Sequence, residues 1–138
     1  MMYVAEAVGK GRGVYAKEFI RAGVIFECSP VIILSPEQWA YVERTTLFDY
    51  CYDWQGGAAL ALGMGSLFNH SYAPNAVYTK QYDRHLIEYT ALHDIEPGEE
   101  ILINYNGRPD DMDPLWFAVI NPENQIDKVD QTSRNQSV

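Results

Sequence analysis

Apolar and polar positions alternate in short bursts along this chain, and the period changes every few residues. Residues 3–8 read as a strand, Gly9-Lys10-Gly11-Arg12-Gly13 as a glycine turn, and Val14-Tyr15-Ala16 as extended chain. Lys17 to Gly23 leads to a turn before a strand over Val24-Ile25-Phe26-Glu27-Cys28. Ser29-Pro30 is expected to break that strand, because proline cannot donate to a ladder, and Val31 to Leu34 is a further β-branched run. Ser35-Pro36-Glu37-Gln38 has a cap and a first-turn proline, predicting a helix to Arg44. Residues 47–54 roughly alternate and predict a strand; Gln55-Gly56-Gly57 turns into residues 58–62. Residues 76–79 and 85–92 predict a hairpin, and residues 101–105 an apolar strand ending in Tyr105. Asp113-Pro114 carries cap and first-turn chemistry for a helix over residues 115–120. The expected domain is mainly β with short helices, spanning residues 1–120, and residues 121–138 form a polar, loose tail.

One stretch fits no period. Residues 63–75, Gly-Met-Gly-Ser-Leu-Phe-Asn-His-Ser-Tyr-Ala-Pro-Asn, combine small residues with Asn69, His70 and Ser71 and a Pro-Asn turn. Small residues permit close backbone approach, and Asn, His and Ser supply donors and acceptors. Set between apolar runs, the stretch reads as a buried polar corner, with an ordinary surface turn as the alternative.

Composition narrows the function classes. A chain of 138 residues allows one core. The net charge of −9 excludes a generic nucleic-acid binder; it would attract a basic partner, with solubility alone as the alternative for most of those charges. Two cysteines are too few for a thiolate zinc site or a disulfide framework. No apolar run reaches membrane-spanning length, and the first residues lack a signal peptide's basic start, so the expected setting is cytoplasmic or otherwise soluble and intracellular. The three histidines are separate, and no metal constellation emerges. Gly11-Arg12-Gly13-Val14-Tyr15-Ala16 matches a dinucleotide-binding pattern, but a β-branched and aromatic pair follows where that fold needs a helix, so the match is rejected. No nucleophile elbow is present.

Three blocks taken together resemble the SET domain of protein lysine methyltransferases. They are Gly11-Arg12-Gly13-Val14-Tyr15-Ala16; Leu67-Phe68-Asn69-His70-Ser71 followed by Pro74-Asn75-Ala76; and Ala91 through Gly98-Glu99-Glu100-Ile101 to Asn104-Tyr105. The resemblance covers about residues 3–116 and is closest to minimal viral and bacterial members without zinc-binding flanking modules. Asn104 and Asn106 depart from the residues usual on either side of the family's tyrosine.

The resemblance implies a β-clip fold of several small sheets with a knot-like C-terminal crossing. It implies S-adenosylmethionine as cofactor and methyl transfer to a lysine of a basic protein or peptide, such as a histone-like tail. Carried over residue by residue, Gly11 and Arg12 would present backbone to the cofactor. Asn69 would bind its amino group, and the His70 main chain its adenine. Tyr105 would orient methyl and amine, Tyr50 would be a second active-site tyrosine, and Trp116 would cover the adenine. Tyr50, Tyr78 and Tyr105 would line the lysine channel, with Asn75 and Ser71 supplying partners to the buried corner. The resemblance also implies a homodimer, and a host-nucleus setting if the source is a virus or pathogen. A catalytically inactive SET-like module that binds peptide or cofactor, and a β-rich interaction protein, remain as alternatives.

Overall fold

A turn at residues 8–10, with Gly9 at φ +73°, lets the first apolar-polar alternation fold back on itself. In the computed structural model, which describes residues 1–115, 119–120 and 126–127, β1 (Met2–Ala7) and β2 (Gly11–Ala16) form an antiparallel ribbon. Gly11 therefore opens the second strand instead of sitting inside the turn. The other edge of β2 is zipped to the segment carrying the Gly-Glu-Glu block. The Ala16 N–H donates to the Glu99 carbonyl (2.9 Å), that of Gly98 to Ala16 (2.8 Å) and that of Ile101 to Val14 (2.8 Å).

β3 (Ile25–Leu34) runs unbroken through Ser29-Pro30, contrary to the expected break. Its first part pairs with β8 (Leu86–Ala91) as far as Pro30, and its last part, from Val31, pairs with β5 (Gly57–Ala61). Pro30 sits where the strand changes partner, so its missing N–H leaves no gap in either ladder. Its carbonyl accepts from the Leu62 N–H at 2.9 Å. With β4 (Cys51–Trp54) and β7 (Ala76–Gln81), these strands form a five-stranded sheet in the order β4-β5-β3-β8-β7.

Helix α1 (Pro36–Val42) starts where the cap predicts. The Gln38 N–H donates to Ser35 Oγ, and the Ser35 N–H donates to the Gln38 side chain, a reciprocal capping box. The strand expected over residues 47–54 is half that length. Thr45 Oγ1 accepts from the Leu47 N–H and starts a 3₁₀ turn over Thr46–Tyr50, leaving only β4 extended. The alternating aromatics there reflect a turn that buries Phe48, followed by a strand that buries Cys51, Tyr52 and Trp54.

β6 (Asn69–His70) pairs in parallel with β9 (Leu102–Ile103), the only part of the expected strand over residues 101–105 that joins a ladder. The helix expected over residues 115–120 does not form as such. Residues 113–115 have no regular structure, and β10 (Val119–Ile120) pairs with β11 (Ile126–Asp127). Trp116 and most of the expected tail lie outside the described residues. Among the described residues no helix is long and apolar enough to cross a membrane.

The main core gathers Val14 of β2, Ile87 and Tyr89 of β8, Ile103 of β9, and Phe68, Ile95 and Ile101 from the segments between strands. Its polar atoms are paired. The Tyr89 hydroxyl donates to that of Tyr52 (2.7 Å), which donates to the Gly65 carbonyl (2.6 Å). A Cβ on Gly65 would lie 2.6 Å from Ser29 Oγ and 2.7 Å from the Tyr89 hydroxyl, so glycine permits this approach.

Asn75 ties the corner together, as expected of it. Its side-chain amide donates to the Glu100 carbonyl (2.9 Å), its Oδ1 accepts from the Leu102 N–H (2.8 Å), and its own N–H donates to the Leu102 carbonyl (3.2 Å). Ser71 contributes its N–H to the Ile103 carbonyl (2.9 Å), while its hydroxyl accepts from the Ala73 N–H. Asn75→Ala strands two backbone groups, and the expected loss is about 2–4 kcal/mol in urea unfolding. A change within about 0.5 kcal/mol would show that the two bonds are replaced by solvent.

Candidate active site

The parallel pairing of β6 with β9 brings His70 beside the chain that leads into Tyr105. His70 is 5 % exposed, and its Nδ1 accepts from the Tyr105 N–H at 2.9 Å. An accepting Nδ1 places the ring proton of the neutral imidazole on Nε2. Burial, with the Lys10 charge second, lowers the His70 pKa to about 3. The ring is therefore neutral at physiological pH and serves as a fixed acceptor. The Tyr105 ring lies 5.3 Å from the imidazole, and its hydroxyl donates to the Phe68 carbonyl at 2.7 Å. Burial first, then Asp49, pushes the Tyr105 phenol well above its usual range. It stays protonated, and its oxygen retains lone pairs to accept with.

A cavity of about 220 Å³ opens beside this corner, lined among others by Lys10, Gly11, Arg12, Tyr50, Asn69 and Tyr105. Five of the residues expected at the site thus meet in one place. The two glycines of β2 act differently. Gly11 is needed for its φ of +76°, and a Cβ there would meet no protein atom within 4 Å. A Cβ on Gly13 would collide with the Glu100 carboxylate and come 2.9 Å from the Asn69 amide. The Asn69 side chain donates to the Arg12 carbonyl (2.8 Å) and to Glu100 Oε2 (2.8 Å), while Lys10 Nζ pairs with Glu100 Oε1 (2.9 Å).

This donor and acceptor set suits a zwitterionic amino-acid group. Lys10 and Arg12 offer cations, and Asn69 Oδ1 offers an acceptor. The cavity's volume is below the roughly 300–1,000 Å³ of whole-ligand pockets and leaves room for one end of a ligand. Among the described residues no group of His, Cys, Asp and Glu could hold a metal ion.

Tyr78 lies elsewhere. It lines a second cavity, about 410 Å³, together with Asp53, Lys80, Tyr82, Asn106 and Arg108. Tyr105 lines both cavities. The Tyr78 hydroxyl donates to the Tyr105 carbonyl at 3.1 Å, and its ring meets that of Tyr52 edge-on at 5.1 Å. Burial lowers the Lys80 pKa, and Asp53 opposes that shift.

The loop after Tyr105 depends on Asn104, which is 3 % exposed. Its amide donates to the Asp111 carbonyl (2.7 Å), and its Oδ1 accepts from the Asn106 N–H (3.0 Å). The Asn106 side chain and the Tyr72 hydroxyl both donate to the Asp113 carbonyl (2.8 Å each). Asn104, a departure from the residue usual there, thus supplies a donor to the loop.

Sequence reasoning gave no role to Lys10, Glu100 or Asn104. Glu100 stood inside a quoted block, and Lys10 between two turn glycines, but nothing in the sequence signals that they meet. Trp116 lies outside the described residues.

The SET domain family matches residues 11–106, and the chain belongs to that family. A curated relative, histone-lysine N-methyltransferase, H3 lysine-37 specific, of Schizosaccharomyces pombe, is 41% identical over 110 residues, covering 78% of this chain and 71% of the relative. A Plasmodium falciparum protein described as a candidate histone methyltransferase has a crystal structure with a TM-score of 0.63 at 30% identity, covering 75% of this chain and 91% of that one. A chain of polycomb repressive complex 2, in an autoinhibited conformation bound to S-adenosylmethionine, has a TM-score of 0.65 at 21% identity. It covers 75% of this chain and 15% of that one, and its likeness bears on the fold alone. The fold is the SET β-clip, and the chain is a protein-lysine N-methyltransferase.

Two outcomes follow from the corner. His70 has a folded pKa below its unfolded value, so its contribution to stability is complete above pH about 6.5 and is lost as pH falls toward about 3. Wild type is expected to be more stable than His70→Phe at pH 7.5, with the gap narrowing by up to about 1 kcal/mol per pH unit below 6.5. Thermal melts of both proteins across that range check it, and a constant gap counts against it. Asn104→Asp sets a carboxylate against the Asp111 carbonyl, and the expected loss is about 2 kcal/mol, read by denaturant unfolding.

Proposed function

We propose that the chain transfers a methyl group from S-adenosylmethionine to the side-chain nitrogen of a lysine in a basic peptide of the histone-tail kind. The observation that carries this is the sharing of Tyr105 by two cavities, one flanked by Asn69 and Lys10, the other by Tyr78. The histone-directed name of the Schizosaccharomyces pombe relative supports the choice of substrate, and membership of the SET family supports that of cofactor.

Bound beside Asn69, the cofactor supplies a methyl already activated by its sulfonium charge. The protein's task is then alignment and desolvation. In this reading Gly11 and Arg12 present the β2 backbone, Asn69 accepts from the cofactor's amino group, and the His70 main chain borders the adenine. Tyr105, held by His70 at its N–H and by Phe68 at its hydroxyl, turns its oxygen lone pairs toward the methyl and the amine. A phenol kept protonated cannot serve as the general base, so Tyr105 orients the reactants and the lysine sheds its proton before transfer. Its ordinary pKa of about 10.4 falls beside a sulfonium cation and in apolar surroundings. Tyr50 flanks the cofactor side and Tyr78 the lysine side, where aromatic faces suit an aliphatic stem and a methylated ammonium. The net charge of −9 steers a basic peptide inward.

Labelled S-adenosylmethionine with histone H3 tests the reading. Tyr105→Phe is expected to lower transfer at least about 100-fold while cofactor binding changes little. No transfer to any histone or lysate protein, with Tyr105→Phe indistinguishable from wild type, would sink it.

A further inference from the structure

The Asn69 carboxamide can present either of two faces to a ligand, an oxygen that accepts or an NH₂ that donates. We infer that Glu100 is a positioning residue that sets this choice, turning the Asn69 oxygen toward a primary ammonium group in the cavity. The inference rests on the cofactor placement proposed above and adds a residue with no contact to the cofactor.

Both hydrogens of the Asn69 amide are committed, one to the Arg12 carbonyl and one to Glu100 Oε2, at 2.8 Å each. Both partners are acceptors only, so the opposite flip would set oxygen against oxygen twice. Oδ1 is the polar atom left for whatever occupies the cavity that Asn69 lines. Glu100 is itself fixed from several directions. Lys10 Nζ holds its other carboxylate oxygen at 2.9 Å, and its side chain is only 14 % exposed. Its backbone bridges to Tyr15 of β2, and its carbonyl accepts from Asn75. Gly13 leaves room for the carboxylate to reach Asn69, because a Cβ there would occupy the same space.

Two donors converge on Glu100 from different residues, which an ionised carboxylate satisfies and a carboxamide does not. Glutamine at this position would turn its NH₂ toward either the Lys10 ammonium or the Asn69 amide. The Lys10 ammonium takes the glutamine oxygen, so the NH₂ opposes the Asn69 amide and the Arg12 carbonyl is left as the one acceptor that holds the Asn69 flip. The effect is confined to a ligand that carries an ammonium group. The adenosine and thioether parts would not register it.

That selectivity separates a positioning role from a merely structural one. Binding of S-adenosylhomocysteine and of 5′-methylthioadenosine, which keeps the adenosine thioether but lacks the amino-acid end, is measured by calorimetry on wild type and Glu100→Gln. The expected result is a loss of about tenfold for S-adenosylhomocysteine, with 5′-methylthioadenosine within about twofold of wild type. Equal losses for both ligands, or no loss for either, overturn the inference. Glu100→Asp, which keeps the charge but withdraws it from Asn69, is read in the same way should Glu100→Gln fail to fold. A wild-type chain that binds neither ligand overturns the cofactor placement itself. A wild-type chain that binds S-adenosylhomocysteine while Glu100→Gln weakens both ligands alike leaves that placement standing and removes only the role of Glu100.

Discussion

The site depends on a parallel ladder of two residue pairs, Asn69 with Leu102 and His70 with Ile103. A ladder this short has little stability of its own, and parallel pairing across a long connection is costly in chain entropy. Side chains on both sides make up for it. Asn75 bonds to the backbone of residues 100 and 102, the His70 imidazole bonds to the Tyr105 N–H, and Asn104 gathers the following loop. Each of these groups joins backbone segments that a two-pair ladder alone would not hold together. The apolar core then closes around them, with Phe68, Ile101 and Ile103 fully enclosed.

Electrostatically, the junction between the cavities is built from neutral groups. His70 stays unprotonated and the phenols of Tyr78 and Tyr105 stay protonated, all chiefly because burial disfavours their charged forms. Charged groups line the cavities around it: Lys10, Arg12 and Asp49 in one, Asp53, Lys80 and Arg108 in the other. A charged ring at position 70 would lose the acceptor that holds Tyr105, and an ionised phenol would lose the donor that reaches Phe68.

How much of this could be read beforehand depended on whether the governing force was local. The cap of α1 was legible because Ser35, Pro36 and Gln38 act on their own turn. The hairpin of β7 and β8 was legible for the same reason. Ser29-Pro30 misled because a proline's effect depends on which neighbour needs its N–H, and the switch from β8 to β5 is a long-range fact. Residues 46–50 misled because one threonine hydroxyl redirected an aromatic stretch that otherwise alternates. At the site, Gly11, Arg12, Asn69 and Tyr105 were legible as blocks of one resemblance. The meeting of Lys10 with Glu100 was not, since a salt bridge between residues so far apart in sequence leaves no pattern in either segment.

Among the described residues, Tyr105 is the one residue that lines both cavities. The remaining lining residues of the two cavities differ, so a change at Asn69 or at Tyr78 alters one cavity and leaves the lining of the other as it is.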